Sequence, residues 1–234
     1  MFTRKQRFDY YADGRQVSAR RQDKAEILAD ALQRVFPARD DLELVDFGCA
    51  DGAVPVLLLE SAYGVAIRRI TGITLLDYND LPEKPAFAHP RFQRVIADLQ
   101  GPLDGLSLPW GQCDAVTATA LFHYFTAPDI PFAHAVRLLK PGGVLLAGMP
   151  ARWVLRLRRH GLPGLLPRNT RIRQVVPLAA WARIAGACGL AEVSRQAVQW
   201  LGTAWSIPLE RLLRRAHLPP WCASHTLVIY RKPE

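Results

Sequence analysis

The sequence predicts an α/β domain built on a mainly parallel, doubly wound sheet. Three observations carry this. Apolar runs of strand length alternate with amphipathic runs of helix length through the first 150 residues, the pattern of a sheet covered by helices on both faces. The run Leu42-Glu43-Leu44-Val45-Asp46-Phe47-Gly48-Cys49-Ala50-Asp51-Gly52 ends a strand pattern in an acid, then a glycine-punctuated turn, and passes at once into the helix-like Ala53-Val54-Pro55-Val56-Leu57-Leu58-Leu59-Glu60. Later, Lys140-Pro141-Gly142-Gly143 stops a helix and turns into the next apolar run.

Taken in order, the pattern predicts a helix over 18–35, a strand over 42–47, a helix over 53–63 and strands over 66–75, 92–97 and 113–119. Asp129-Ile130-Pro131 reads as an N-cap with an early proline, opening a helix over 131–139. A strand over 143–148 follows, then a helix over 178–188 and strands over 191–198 and 224–231. Residues 151–176 break the alternation with an Arg-rich, then Gly/Pro-interrupted stretch that reads as an insertion beyond a strand end, where lids are commonly built.

Composition sets the bounds. At 234 residues, half of them apolar, the chain suits one globular domain with a full core. No uncharged apolar run reaches membrane-spanning length. The N-terminus carries charges without an apolar h-region, so a cytoplasmic location is expected. Cys49, Cys113, Cys188 and Cys222 are far apart and form no Cys-x-x-Cys pair. Free thiols are the expectation and no metal site is predicted. Net charge is +9, spread as +4 over residues 1–39, −8 over 40–135 and +13 over 136–234. A basic last third suits an anionic substrate, RNA or a membrane surface, and equally a solvated arginine-rich face.

Five segments in order carry a family resemblance: Val45-Asp46-Phe47-Gly48-Cys49-Ala50-Asp51-Gly52, Ile70-Thr71-Gly72-Ile73-Thr74-Leu75, Val95-Ile96-Ala97-Asp98-Leu99, Cys113 to Thr119, and Arg137-Leu138-Leu139-Lys140-Pro141-Gly142-Gly143. Together they resemble the class I S-adenosylmethionine-dependent methyltransferases, in the small-molecule, type 11-like group, over nearly the whole chain. The resemblance implies a Rossmann-like, seven-stranded sheet whose last strand, over 225–233, runs antiparallel. It also implies one domain over 1–234: a cap helix in 1–40, a cofactor-binding core in 41–150, a basic lid in 151–176, and a helix and closing strands in 177–234.

By the same resemblance, Gly48, Ala50 and Gly52 shape the loop under the amino-acid tail of S-adenosyl-L-methionine. Asp46 orients that loop or accepts a hydrogen bond near the ammonium. The family usually places an acid two residues after the glycine of the second segment to hold the ribose, and Thr74 stands there instead. The Gly-Ile-Thr variant resembles the branch containing cyclopropane-fatty-acid, sterol and tocopherol methyltransferases, so Thr74 and Asp77 share the ribose role, with Leu75 beside them. Asp77 reads equally as a turn residue. Asp98 matches the acid that accepts from the adenine amino group, with Ile96 and Leu99 flanking the ring, or it caps the next segment. Thr119 and the segment to Phe125 match the stretch beside the methyl group, where His123 is the candidate general base; packing on a helix face is the competing reading.

Methyl transfer is an in-line displacement, so alignment and exclusion of water carry most of the catalysis. The expected reaction is methylation of a small-molecule or lipid-linked metabolite, with Tyr10, Tyr11 and residues 151–176 as a lid and Trp153, Trp200 and Trp205 as apolar walls. Two alternatives stay open: an RNA methyltransferase using the basic last third, and a non-catalytic protein that binds S-adenosylmethionine. Nucleic acid ranks lower because no amine-holding Asn-Pro-Pro-Tyr motif follows Thr119. The segments 153–159 and 209–215 are basic-amphipathic, which suggests peripheral membrane contact. Acceptor atom and oligomeric state are left open.

Overall fold

A computed structural model describes residues 14–75, 88–161, 169–199 and 223–234. Asp77, Tyr10, Tyr11, Trp200, Trp205, Cys222 and the segment 209–215 lie outside the described residues.

Seven strands form one sheet: β1 (Leu42–Phe47), β2 (Ile67–Thr74), β3 (Phe92–Ile96), β4 (Cys113–Thr119), β5 (Leu139–Pro150), β6 (Ala191–Gln199) and β7 (His225–Arg231). Their order is β3-β2-β1-β4-β5-β7-β6. The pairs among β1 to β5 are parallel, while β7 pairs antiparallel with both β5 and β6. This is the Rossmann-like arrangement expected, and every predicted strand is present.

The described helices are α1 (Gly14–Val35), α2 (Ala53–Glu60), α3 (Asp129–Leu138), α4 (Arg152–His160) and α5 (Leu178–Ala187). Three differ from expectation. The helix predicted over 53–63 ends at Glu60, where the Ser61 hydroxyl donates 2.6 Å to the Leu58 carbonyl and the chain tightens into a 3-10 turn, Ala62–Ala66. Asp129 is the first helical residue of α3 rather than its N-cap, a place where its carboxylate still faces the positive end of the helix. The insertion opens with a regular helix, α4, because Val154 and Leu155 find a core to enter.

Alternation along the strands sends side chains to both faces. Val45 and Phe47 pack on one face with Phe132 and Leu138 of α3 and Trp181 of α5. Leu42 and Leu44 pack on the other with Leu28 and Leu32 of α1 and Leu58 of α2. At the amino edge of the sheet, buried Glu43 accepts from Arg68 at 2.7 Å and Arg69 at 2.9 Å, so its charge is paired rather than stranded. The opposite, carboxyl edge is left for the loops that follow β1, β2, β3 and β4.

Candidate functional site

Backbone hydrogen bonds extend the sheet past its strand tips, from β1 and β3 to β2 and from β4 to β5. Gly48 N–H donates 2.8 Å to the Ile73 carbonyl, Ala97 N–H 2.8 Å to Thr74, and Ala120 N–H 2.8 Å to Gly148. The turn after β1 is forced into left-handed backbone three times, at Gly48 (φ 75°), Ala50 (φ 53°) and Gly52 (φ 87°). Glycine takes that region without cost, whereas an alanine there costs about 1–2 kcal/mol. The turn therefore stores strain at Ala50, and the surrounding bonds hold it: Gly52 N–H reaches the Cys49 carbonyl at 2.9 Å, and Asp51 Oδ1 accepts from Ala53 N–H at 3.2 Å, satisfying one donor at the start of α2. Pro55 falls in the first turn of α2, where a missing N–H is harmless.

Gly72, a landmark in the sequence, has a packing reason. A Cβ there would lie 2.6 Å from Cys49 Sγ and 2.8 Å from Phe92 Cε2. The absent side chain lets the loop residue Cys49 seat on β2. Burial pushes the Cys49 thiol well up, aided by the negative charge of Asp46, so this cysteine is a packing group.

Asp46 sits one residue before the end of β1, buried under α1 and α2. It accepts a 2.5 Å hydrogen bond from the Thr117 hydroxyl. The two are the polar members of an otherwise apolar packing seam between the sheet and those helices, lined by Leu28, Leu44, Val54, Pro55, Leu58 and Ile70. Burial pushes the Asp46 carboxyl up to about 7, against the opposing pull of the Thr117 bond and the Lys24 charge. A second cation from the same helix, Arg21, pairs with Asp51 at 2.7 Å. Arg94 Nη2 donates 2.9 Å to the Asp51 carbonyl. None of these cations was singled out from the sequence. Their only local signal is the three-residue spacing of Arg21 and Lys24, which puts both on one side of α1.

The remaining predicted residues take these places. Thr74 is buried at the tip of β2, and Leu75 beyond it is 64% exposed. Ile96, in register with Thr74 on the neighbouring strand, is 50% exposed. Asp98 follows, exposed, with Oδ1 accepting from Gln100 N–H at 2.9 Å, which is the capping role raised as its alternative. Leu99 is buried in the core. Thr119 is half-buried at the tip of β4, in register with Gly148. Leu121 lies against Gly48, where a Cβ would come within 2.9 Å of its Cδ1.

His123 is buried, and neither ring nitrogen has a partner among the described residues. Its neighbours fix it: Phe122 stacks on Phe132 at 4.3 Å, the Tyr124 ring lies 4.1 Å away, and the His123 carbonyl accepts from Arg173 N–H at 2.9 Å and Gln174 N–H at 3.0 Å. Burial, and secondarily the Arg158 charge from α4, pushes its pKa down to about 3. The ring is neutral at physiological pH but a weak proton acceptor there, so the basicity expected of it is lost to desolvation. Trp153, expected as an apolar wall, is half-exposed on α4.

The rim joins the first βα turn to the neighbouring strand tips, the position at which doubly wound sheets bind nucleotide-like ligands. A model of the methyltransferase domain matches residues 19–195 of the chain. The chain belongs to the methyltransferase domain family. The match takes in α1 from residue 19 onward, the rim and α4, so Arg21 and Lys24 fall within the methyltransferase domain. No curated protein matches the sequence.

Solved structures share the fold at low identity. The protein solved in complex with the Haloferax volcanii Trm112 methyltransferase activator superposes with a TM-score of 0.64 at 16% identity, covering 97% of this chain and 96% of that one. A candidate sarcosine dimethylglycine methyltransferase of Galdieria sulphuraria gives 0.62 at 13%, over 89% and 85%. The cyclase SpnF gives 0.58 at 20%, over 88% and 80%. One fold thus serves different chemistries, and function is set by the site it carries. Among the described residues no helix of this methyltransferase domain is long and apolar enough to cross a membrane, and no cluster of three or more His, Cys, Asp or Glu could hold a metal.

Proposed function

We propose that the protein binds S-adenosyl-L-methionine along the rim and methylates a small-molecule or lipid-linked acceptor. One observation carries the reading. Leu75 and Ile96, two of the most exposed large apolar side chains, flank the tips of adjacent strands β2 and β3, and exposed Asp98 follows Ile96 by two residues. An apolar pair next to an acceptor is what a purine ring with an exocyclic amine would cover.

The residues fit the rest of the cofactor. The strained turn over 48–52 brings bare backbone to the carboxyl edge, and the Asp46 carboxyl stands behind it for an ammonium. Thr74 offers a hydroxyl at the place of the ribose, and Thr119 and Leu121 border the sulfonium end. When bound, the cofactor supplies an electrophilic methyl group whose departure leaves a neutral sulfide. The protein therefore has mainly to align the acceptor and exclude water. In this reading His123 contributes as a neutral hydrogen-bonding ring beside the acceptor. The domain acts as one unit over 1–234, with α4 forming an acceptor-side wall.

Isothermal titration tests the reading. S-adenosyl-L-methionine is expected to bind at one site, and Asp98→Asn to weaken it. Absence of heat at high micromolar cofactor rejects it. The acceptor is then sought by screening metabolites for release of the demethylated cofactor.

A further inference from the structure

The segment from residue 130 to residue 191 contains ten Lys and Arg and no Asp or Glu. Within it, α4 leaves the end of β5 two residues beyond Gly148, the partner of Thr119, and so rises from the same edge of the sheet as the candidate site. Val154 and Leu155 are buried and pin the helix down. Arg158 lies on that inward side and contributes to the field at His123. The exposed residues are Arg152, Trp153, Arg156, Arg159 and His160. At 3.6 residues per turn these five fall within about 120° of arc. The outward face of α4 is therefore a stripe of cations around one indole that is half-exposed.

We propose that this face of α4 docks the protein on an anionic lipid bilayer, with the candidate site turned toward the membrane surface. The proposal stands apart from the methyl-transfer reading, because it rests on surface chemistry alone. Three features favour lipid over nucleic acid. A tryptophan has an apolar body and one N–H donor, which suits the boundary between acyl chains and headgroups. Long arginine side chains can lie along that boundary while their guanidinium groups meet lipid phosphates. A single-stranded nucleic acid would instead call for a row of stacking aromatics, and α4 offers one.

The test is co-sedimentation of the full chain with vesicles of phosphatidylcholine, alone or with phosphatidylglycerol, at physiological salt. The protein is expected to pellet only with the anionic vesicles. Each arginine near a charged bilayer is worth about fivefold in partitioning, so Arg152→Gln/Arg156→Gln/Arg159→Gln together should weaken it about 100-fold. Trp153→Ala should also release the protein, with its thermal unfolding unchanged because the side chain is half-exposed. Failure of the wild type to pellet overturns the proposal. So does equal pelleting of the triple variant, which would place the contact elsewhere. Salt-sensitive retention on RNA without vesicle binding overturns it in favour of nucleic acid.

Discussion

The Thr117 hydroxyl on β4 donates a 2.5 Å hydrogen bond to the Asp46 carboxylate on β1, a side-chain contact that adds to the backbone pairing of the two central strands. The bond offsets only part of the desolvation of Asp46, whose carboxyl is pushed up to about 7. The folded chain thus keeps a proton that the unfolded chain releases near pH 4. Stability contributed here falls as pH rises from about 4 to about 7, and the penalty is complete above that. Asp46→Asn keeps an acceptor for Thr117 and removes the titration. It is expected to stabilise the unliganded protein by about 2–4 kcal/mol at pH 8 and by less at pH 5. Guanidinium unfolding at the two pH values checks this. An equal effect at both would show that Asp46 is ionised throughout.

Gly72 is predicted to be intolerant for a reason that can be reversed. Gly72→Ala drives a methyl group into Cys49 and Phe92 and should cost about 1–3 kcal/mol. Adding Cys49→Ala should return a small part of that loss, because it removes the nearest clash, with Sγ, while Cys49 Cβ at 2.7 Å and Phe92 Cε2 at 2.8 Å still crowd the new methyl. Thermal melts of both single variants and the double variant give the coupling; strict additivity would mean the loop relaxes away from β2 without help.

Asp98 separates two roles by one substitution. Asp98→Asn retains an oxygen for Gln100 N–H, so the turn and the melting temperature should hold. It replaces a carboxylate by an amide at the proposed adenine contact, which should weaken cofactor binding roughly 10- to 100-fold. Unchanged affinity would leave Asp98 as a capping residue alone.

The depressed pKa of His123 has the opposite sign from that of Asp46. The unfolded chain takes up a proton near pH 6.5 that the folded ring refuses until about 3. Stability contributed here is therefore lost as pH falls through that window. His123→Gln should make unfolding less sensitive to acid. Once an acceptor is known, its methylation should show no inflection near pH 6.5 that disappears in this variant; such an inflection would restore His123 as a base.

The fold was legible because each strand run is bounded by its own punctuation. The alternation over 42–47 ends in a glycine turn, and Gly142, in left-handed backbone, marks the irregular start of β5 ahead of its regular pairing from Val144. The rim was legible through its left-handed turn and through Thr74 and Asp98 at strand ends. Three things were hidden because they depend on distant contacts. Arg21 pairs with Asp51, and the Lys24 charge acts on Asp46, across more than twenty residues, and no local period announces either relation. His123 reads as a neutral-pH base until Phe122, Tyr124 and the chain at 173–174 are seen to enclose it. The helix α4 reads as an irregular insertion because only two of its nine residues are buried.

The most direct measurement is a crystal structure with S-adenosylhomocysteine bound. The adenine is expected against Leu75 and Ile96, its amino group at about 2.7–3.2 Å from an Asp98 oxygen, and the amino-acid tail over the turn at 48–52. Density for the adenosyl group anywhere else, with Asp98 still engaging only Gln100, would contradict that placement.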